Sequence, residues 1–247
     1  MPRKARKISK TGIYHVMVRG INKEPIFTDG RDNQVFLNVL KQAKENWGFE
    51  LYAYCLMKNH GHFLIKDTHG SISSIMKDVC GKYGRWFNVA HDRMGHVFQD
   101  RFRSECVETN IYLHTVFRYI LNNPVKAKLV KRAEEYPWSS CNEYLSGIKT
   151  ITDTDHMLSF LQEGSLEATW KLKMELERDD TLQDLVYLTM DDERRSDEEA
   201  DQIVEQLKKK WSIQDLLHLN DTEKQLVVGH LKALGLKKRQ YQKSLRG

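Results

Sequence analysis

Residues 13–19 alternate strictly, with Tyr14, Val16 and Val18 in one phase and His15, Met17 and Arg19 in the other. That is the period of a half-buried strand, and Gly20-Ile21-Asn22 ends it. From Arg31 to Trp47 the apolar positions Phe36, Val39, Leu40, Ala43 and Trp47 recur at the spacing of one helix face, with Gly48 as the stop. Phe49 to Met57 predicts a second strand, Lys58-Asn59 a tight turn, and His60 to Lys66 its hairpin partner. Ile72, Ile75, Met76, Val79, Tyr83 and Phe87 mark a second amphipathic helix. After a polar, basic loop, Phe102 to Glu108 predicts another strand and Ile111 to about Asn122 a helix. Pro124 limits that helix, because the residue before a proline is disfavoured in the α region.

The order β-α-β-β-α-β with a closing helix predicts an α+β fold, a ferredoxin-like (RRM-like) antiparallel sheet covered by helices. Tyr136-Pro137-Trp138-Ser139-Ser140 has the character of a docking segment that ends this unit. Beyond Ile151 the strand signals fade. Leu158, Leu161, Leu172, Leu176, Leu182, Leu185, Ile203, Leu207 and Trp211 predict short helices, a small all-α region at the C-terminal end. The expected division is a basic tail over 1–12, the sheet unit over 13–148 and a helical extension over 149–247.

Charge sharpens this picture more than composition does. The net charge over 247 residues is only +5, but it is unevenly placed. Basic residues gather at Arg3, Lys4, Arg6, Lys7 and Lys10, between Lys77 and Arg103, at 126–132 and at 237–246, while acidic ones concentrate over 179–201. Such asymmetry predicts a polyanion partner for the N-terminal part. No apolar run approaches the roughly 18 residues of a membrane span. The basic N-terminal run has no apolar stretch after it, so it does not read as a secretory signal, and the expected location is the cytoplasm. The four cysteines are scattered, which predicts free, mostly buried thiols.

Two elements carry candidate chemistry. His60 and His62 are two apart on a predicted strand, so they leave the same face and could grip one divalent ion; they could equally pack or hydrogen-bond. Tyr119 and Asn123 are four apart on a predicted helix and share a face. There the Asn123 carbonyl could complete a metal's coordination beside a phenol nucleophile, or Tyr119 could pack on the sheet while Asn123 caps the helix. A phenol has a reference pKa of about 10, so attack on a phosphodiester needs help, and a divalent ion can provide it. Attack by Tyr119 would leave a 5′-phosphotyrosine and a free 3′-OH. Tyr112 is the next candidate nucleophile.

Five ordered segments carry a resemblance over about residues 8–145. They are Tyr14-His15-Val16-Met17-Val18-Arg19-Gly20, Met57-Lys58-Asn59-His60-Gly61-His62, Gly95-His96-Val97-Phe98-Gln99-Asp100-Arg101-Phe102, Tyr119-Ile120-Leu121-Asn122-Asn123-Pro124-Val125 and Tyr136-Pro137-Trp138-Ser139-Ser140. They are similar to those of the IS200-like tyrosine transposases, including relatives associated with repetitive extragenic palindromes. The resemblance implies an HUH single-strand nuclease fold, Mg²⁺ or Mn²⁺ as cofactor, and recognition of hairpins in single-stranded DNA. By position it gives His60, His62 and Asn123 as metal ligands and Tyr119 as the nucleophile. The family includes dimers that exchange their tyrosine helices and monomers that do not, so a homodimer is open. Where the family usually has a bulky apolar residue between the histidines, this chain has Gly61.

For DNA contact the expected residues are Arg3, Lys4, Arg6, Lys7, Arg19, Lys77, Lys82, Arg85, Arg101 and Arg103, with Tyr83, Trp86, Phe87 and Phe102 either stacking on bases or packing in the core. Residues 221–240 resemble the start of a helix-turn-helix. The expected activity is metal-dependent cleavage and joining of single-stranded DNA. The alternatives are a hairpin-binding protein of the same fold that does not cleave, and an RRM-like RNA binder.

Overall fold

The alternating segment forms β1 (Ile13–Arg19). In the computed structural model, which describes residues 6–160 together with 201, 204 and 205, β1 lies inside a four-stranded sheet. Its neighbours are β3 (His60–Lys66) and β4 (Arg103–Cys106), both antiparallel to it, and β2 (Glu50–Met57) pairs antiparallel with β3 on the far side. The order β2-β3-β1-β4 is that of the ferredoxin-like arrangement the element pattern predicted. The chain divides into two compact units, Met1–Asp179 and Asp180–Gly247, and the sheet belongs to the first. Arg3, Lys4, the helices expected over 161–211 and the helix-turn-helix start over 221–240 lie outside the described residues.

The two phases of β1 meet different covers. Tyr14, Val16 and Val18, with Phe63 and Ile65 of β3, form a core with α1 (Gly30–Trp47) and α2 (Ile72–Ala90). Phe36 of α1 stacks on Phe63 at 5.4 Å between ring centroids and meets Tyr83 of α2 edge-on at 5.0 Å. The side chains α2 buries are the six read from its spacing. Asp29 caps α1 by accepting from the Asp32 amide at 3.0 Å, and Gly48 ends it with φ of 69°, a conformation that favours glycine.

The other face is covered by α3 (Asn110–Lys126), which Thr109 caps by accepting from the Tyr112 amide at 3.2 Å. α3 differs from the expectation at its end, because it passes through Pro124. Proline removes one i→i−4 donor. The turn is still closed by amides beyond it, Ala127 donating to Asn123 O and Leu129 to Pro124 O, each at 3.0 Å. Asn123 is therefore inside the helix, and Ala127 holds the cap position.

The free edge of β2 is occupied by the predicted docking segment. Leu56 N donates to Trp138 O at 2.8 Å, Ser140 N to Tyr54 O at 3.0 Å, and the Tyr136 hydroxyl to Leu56 O at 2.7 Å. The short helices α4 (Cys141–Ser146) and α5 (Thr154–Phe160) follow. The Asp153 carboxylate accepts from Leu51 N at 2.8 Å, which ties the chain beyond 148 to β2. All four cysteines are free. Among the described residues no helix is long and apolar enough to cross a membrane.

Candidate active site

The face under α3 collects the candidate chemistry, and backbone pairing decides its composition. Opposite residues of antiparallel strands share a face, and the β1–β3 register sets Arg19 against His60 and Met17 against His62. The β1–β4 register sets His15 against Glu105 and Met17 against Arg103. His15, Arg19, His60, His62, Arg103 and Glu105 therefore occupy one side of the sheet.

Tyr119 of α3 comes down onto this face. Its hydroxyl is 3.4 Å from His62 Nε2, at the long end of hydrogen bonding, and its ring stands edge-on to His62 with centroids 5.2 Å apart. The His60 and His62 rings are 5.0 Å apart, so the two side chains predicted to act together do converge. His62 Nδ1 is engaged from the other side by His15 Nε2 at 3.2 Å. His15, His62, Tyr119 and Asn123 are each only 1 % exposed.

Burial governs the electrostatics. It pushes His15 down to about 3 and His62 well below the usual histidine range, the latter helped by His60, His15 and Arg19 nearby. Removing a charged imidazole from water is costly, so both rings are neutral, the form in which histidine ligates a metal.

His60 is held from within the strand turn. Asn59 Oδ1 lies 2.7 Å from His60 Nδ1, and Asn59 Nδ2 donates to Lys23 O at 3.1 Å, which fixes the amide's orientation. An amide oxygen only accepts, so Nδ1 of His60 carries the proton and Nε2 keeps its lone pair. Gly20 makes this arrangement possible: its amide donates to Asn59 O at 2.9 Å, and a Cβ at residue 20 would lie 2.1 Å from Glu24 O. Asn59 and His15 were not among the predicted site residues. The sequence signal for His15 was its phase in β1, which it shares with Arg19.

Tyr112 is differently placed. Its hydroxyl donates to Glu105 at 2.8 Å, and burial together with that carboxylate pushes its pKa well up. A phenol so held is a poor nucleophile, whereas Tyr119 faces the histidines.

The donor set fits a divalent cation. Among the described residues no group of three His, Cys, Asp or Glu side chains is placed to hold a metal, so a third protein donor must be of another kind. Both polar atoms of the Asn123 amide are buried without a hydrogen-bond partner, one helical turn after Tyr119. A buried, unsatisfied amide is costly and calls for an occupant. Two imidazoles and a carboxamide oxygen leave positions for water and phosphate oxygens, which suits Mg²⁺ or Mn²⁺.

The residues predicted to contact DNA separate onto two surfaces. Arg19 and Arg103 share the histidine face. Arg6, Lys77, Arg85 and Arg101 instead line a groove of about 910 Å³ between α2 and residues 95–102. Arg6 donates to Phe102 O at 2.7 Å and lies 3.7 Å over the Phe102 ring; burial and the nearby Arg101 lower its pKa. Lys82 is tied to Asp78 at 2.9 Å, which offsets its charge, and Lys7 is exposed. The aromatics proposed for stacking are mostly core: Tyr83 is 0 % and Phe87 1 % exposed, and only Trp86 stays partly open, beneath Arg31.

Comparison with known proteins agrees with the motif reading. Residues 9–123 match the family model described as "Transposase IS200 like". Among solved structures, a REP-associated tyrosine transposase bound to a REP hairpin is 24 % identical, with a TM-score of 0.49, covering 61 % of this chain and 90 % of its own. A candidate transposase from Deinococcus radiodurans R1 is 17 % identical with a TM-score of 0.35, covering 46 % and 92 %. A search of curated proteins finds no match.

Proposed function

We propose that this chain, whose residues 9–123 match the IS200-like transposase family model, cleaves and rejoins single-stranded DNA carrying hairpins, through a covalent bond to Tyr119. The observation that carries the reading is the convergence of the Tyr119 hydroxyl on His62 Nε2 at 3.4 Å, with the His60 ring beside His62; the unsatisfied amide of Asn123 follows one helical turn after Tyr119.

Tyr119 Oη attacks the scissile phosphorus, an O–P bond forms and the P–O3′ bond breaks. The phenol gives up its proton and the departing oxygen takes one to become the 3′-OH of the upstream fragment, while the downstream fragment stays on the protein through its 5′-phosphate as a phosphotyrosine. Since one phosphoester replaces another, a second 3′-OH can reverse the step without ATP. His60, His62 and Asn123 would hold Mg²⁺ or Mn²⁺. When bound, such an ion neutralises a non-bridging phosphate oxygen and fixes the phosphate's orientation. Arg19 and Arg103 add positive charge on the same face, which favours the phosphate backbone of the strand being cut. Arg6, Lys77, Arg85 and Arg101 on the α2 groove would hold a separate stretch of the same DNA. A partner of this kind places the protein in the cytoplasm, on the nucleoid.

Tyr119 and His62 are each 1 % exposed, so the strand reaches them only after α3 or its surroundings give way. That burial would also suit a hairpin-binding protein that does not cleave. The test is incubation of the full chain with a library of single-stranded hairpins and Mn²⁺, read on a denaturing gel. A covalent adduct that is lost in Tyr119→Phe and His62→Ala but kept in Tyr112→Phe is expected. Tight binding with no adduct would replace this reading by the non-cleaving one.

A further inference from the structure

His15 is a buried histidine with no part in the cleavage step just described, yet its Nε2 lies 3.2 Å from Nδ1 of His62. The strand pairing puts it there. His15 and His62 stand two residues apart across the β1–β3 ladder, on the same face, with His62 opposite Met17.

A histidine that ligates a cation through Nε2 must carry its proton on Nδ1, and that N–H needs an acceptor to fix the ring's orientation. His60 has such an acceptor in Asn59 Oδ1 at 2.7 Å. For His62, the atom at the matching place is His15 Nε2. Both rings are 1 % exposed, so solvent does not supply a substitute. Tyr119 approaches His62 on the opposite nitrogen, Nε2, at 3.4 Å, and a hydroxyl donor there is compatible with a lone pair on that atom. His15 then carries its own proton on Nδ1, which is buried without a hydrogen-bond partner.

We propose that His15 is the positioning residue of His62: it accepts the Nδ1–H of that ring and thereby presents Nε2 as the metal-ligating lone pair beside Tyr119. This rests on the cation site proposed above. His15 touches neither the DNA nor the ion; it acts through His62, as Asn59 acts through His60.

The test uses the full chain, Mn²⁺ and two substitutions. His15→Phe keeps a ring and removes the acceptor, while His15→Gln restores an acceptor in a smaller side chain. Mn²⁺ titration by calorimetry is expected to show a 10- to 100-fold loss of affinity in His15→Phe, the usual size for a lost outer partner of a ligand, and recovery to within a few-fold in His15→Gln. In parallel, ¹⁵N-histidine spectra of the metal-free protein, with His62 identified by its absence in His62→Ala, are expected to show His62 protonated at Nδ1 in the wild type and a shifted tautomer balance in His15→Phe.

Wild-type Mn²⁺ affinity in His15→Phe would overturn the proposal. So would equal losses in both variants, since they would report packing and not an acceptor, or a wild-type His62 protonated at Nε2. A wild type whose Mn²⁺ binding is unaffected by His60→Ala and His62→Ala would instead remove the cation site itself; the ¹⁵N spectra would still report whether His15 holds His62.

Discussion

Gly61 stands between the two histidines of β3, and the structure shows through Phe63 what a side chain there would meet. The two share a strand face, and the Phe63 ring lies over the glycine: a Cβ at residue 61 would be 3.0 Å from Phe63 Cζ, 3.2 Å from Cε2 and 3.4 Å from Leu56 Cδ2. Phe63 cannot easily yield, being 0 % exposed and stacked on Phe36 at 5.4 Å. Two effects oppose each other in Gly61→Ala. Removing glycine from a strand interior gains roughly 0.5 to 1 kcal/mol in chain entropy, and crowding a well-packed core costs about 1 to 3 kcal/mol. The central values leave a net loss of about 1 kcal/mol. In a Phe63→Leu background the crowding atom is gone, so the same substitution should become neutral or stabilising by about 0.5 kcal/mol, a coupling of about 1.5 kcal/mol. Urea unfolding of the four proteins of this cycle, followed by far-UV circular dichroism at constant m, measures both numbers. If Gly61→Ala stabilises the wild type, or if the two substitutions add without coupling, Phe63 is not what fills the place of the missing side chain.

Asp32, 1 % exposed, joins the start of α1 to the end of α2: it accepts from Thr28 N at 2.7 Å and contacts His91 Nε2 at 2.8 Å. Burial opposes its ionisation, but the bonds from Thr28 and His91 outweigh it and lower the pKa. Its stabilisation is therefore complete above the unfolded carboxyl value of about 4 and is lost as pH falls through the lower folded value. Asp32→Asn should flatten the acid limb of a stability-versus-pH curve below about pH 4 and cost about 1 to 3 kcal/mol at neutral pH; an unchanged acid limb would show that other carboxylates dominate it. Arg101→Ala and Arg85→Ala should each weaken hairpin binding and lower the slope of log K against log salt by about 1, whereas Lys82→Ala, already paired with Asp78, should change the slope little. Filter binding across a salt series separates them, and equal slopes for all three would refute the placement of DNA in the α2 groove. Tyr112→Phe should leave adduct formation intact while costing about 1 kcal/mol of stability through the lost bond to Glu105, checked by the denaturing gel and thermal unfolding together.

Much of this architecture is legible in local pattern. β1 has the bounds that alternation predicted, β3 those expected of a hairpin partner after the Lys58-Asn59 turn, and α2 buries the residues its spacing named. α3 runs past the end that Pro124 predicts, because the rule against the α region before proline is a preference and amides beyond Pro124 close the turn. Tyr83 and Phe87, open to a stacking role in the sequence, are core residues because their helix face points inward.

The sequence alone determined that His60 and His62 share one strand face and that Tyr119 and Asn123 share one helix face, since Cβ directions repeat every two residues in a strand and nearly every four in a helix whatever lies around them. Only the tertiary structure decided the β1–β3 register that sets Arg19 against His60 and brings His15 to His62, and that Arg103 falls on this face while Arg6, Lys77, Arg85 and Arg101 line a groove beside α2. Those placements depend on strand pairing and register between segments far apart in the chain, which are set by which buried faces fit together.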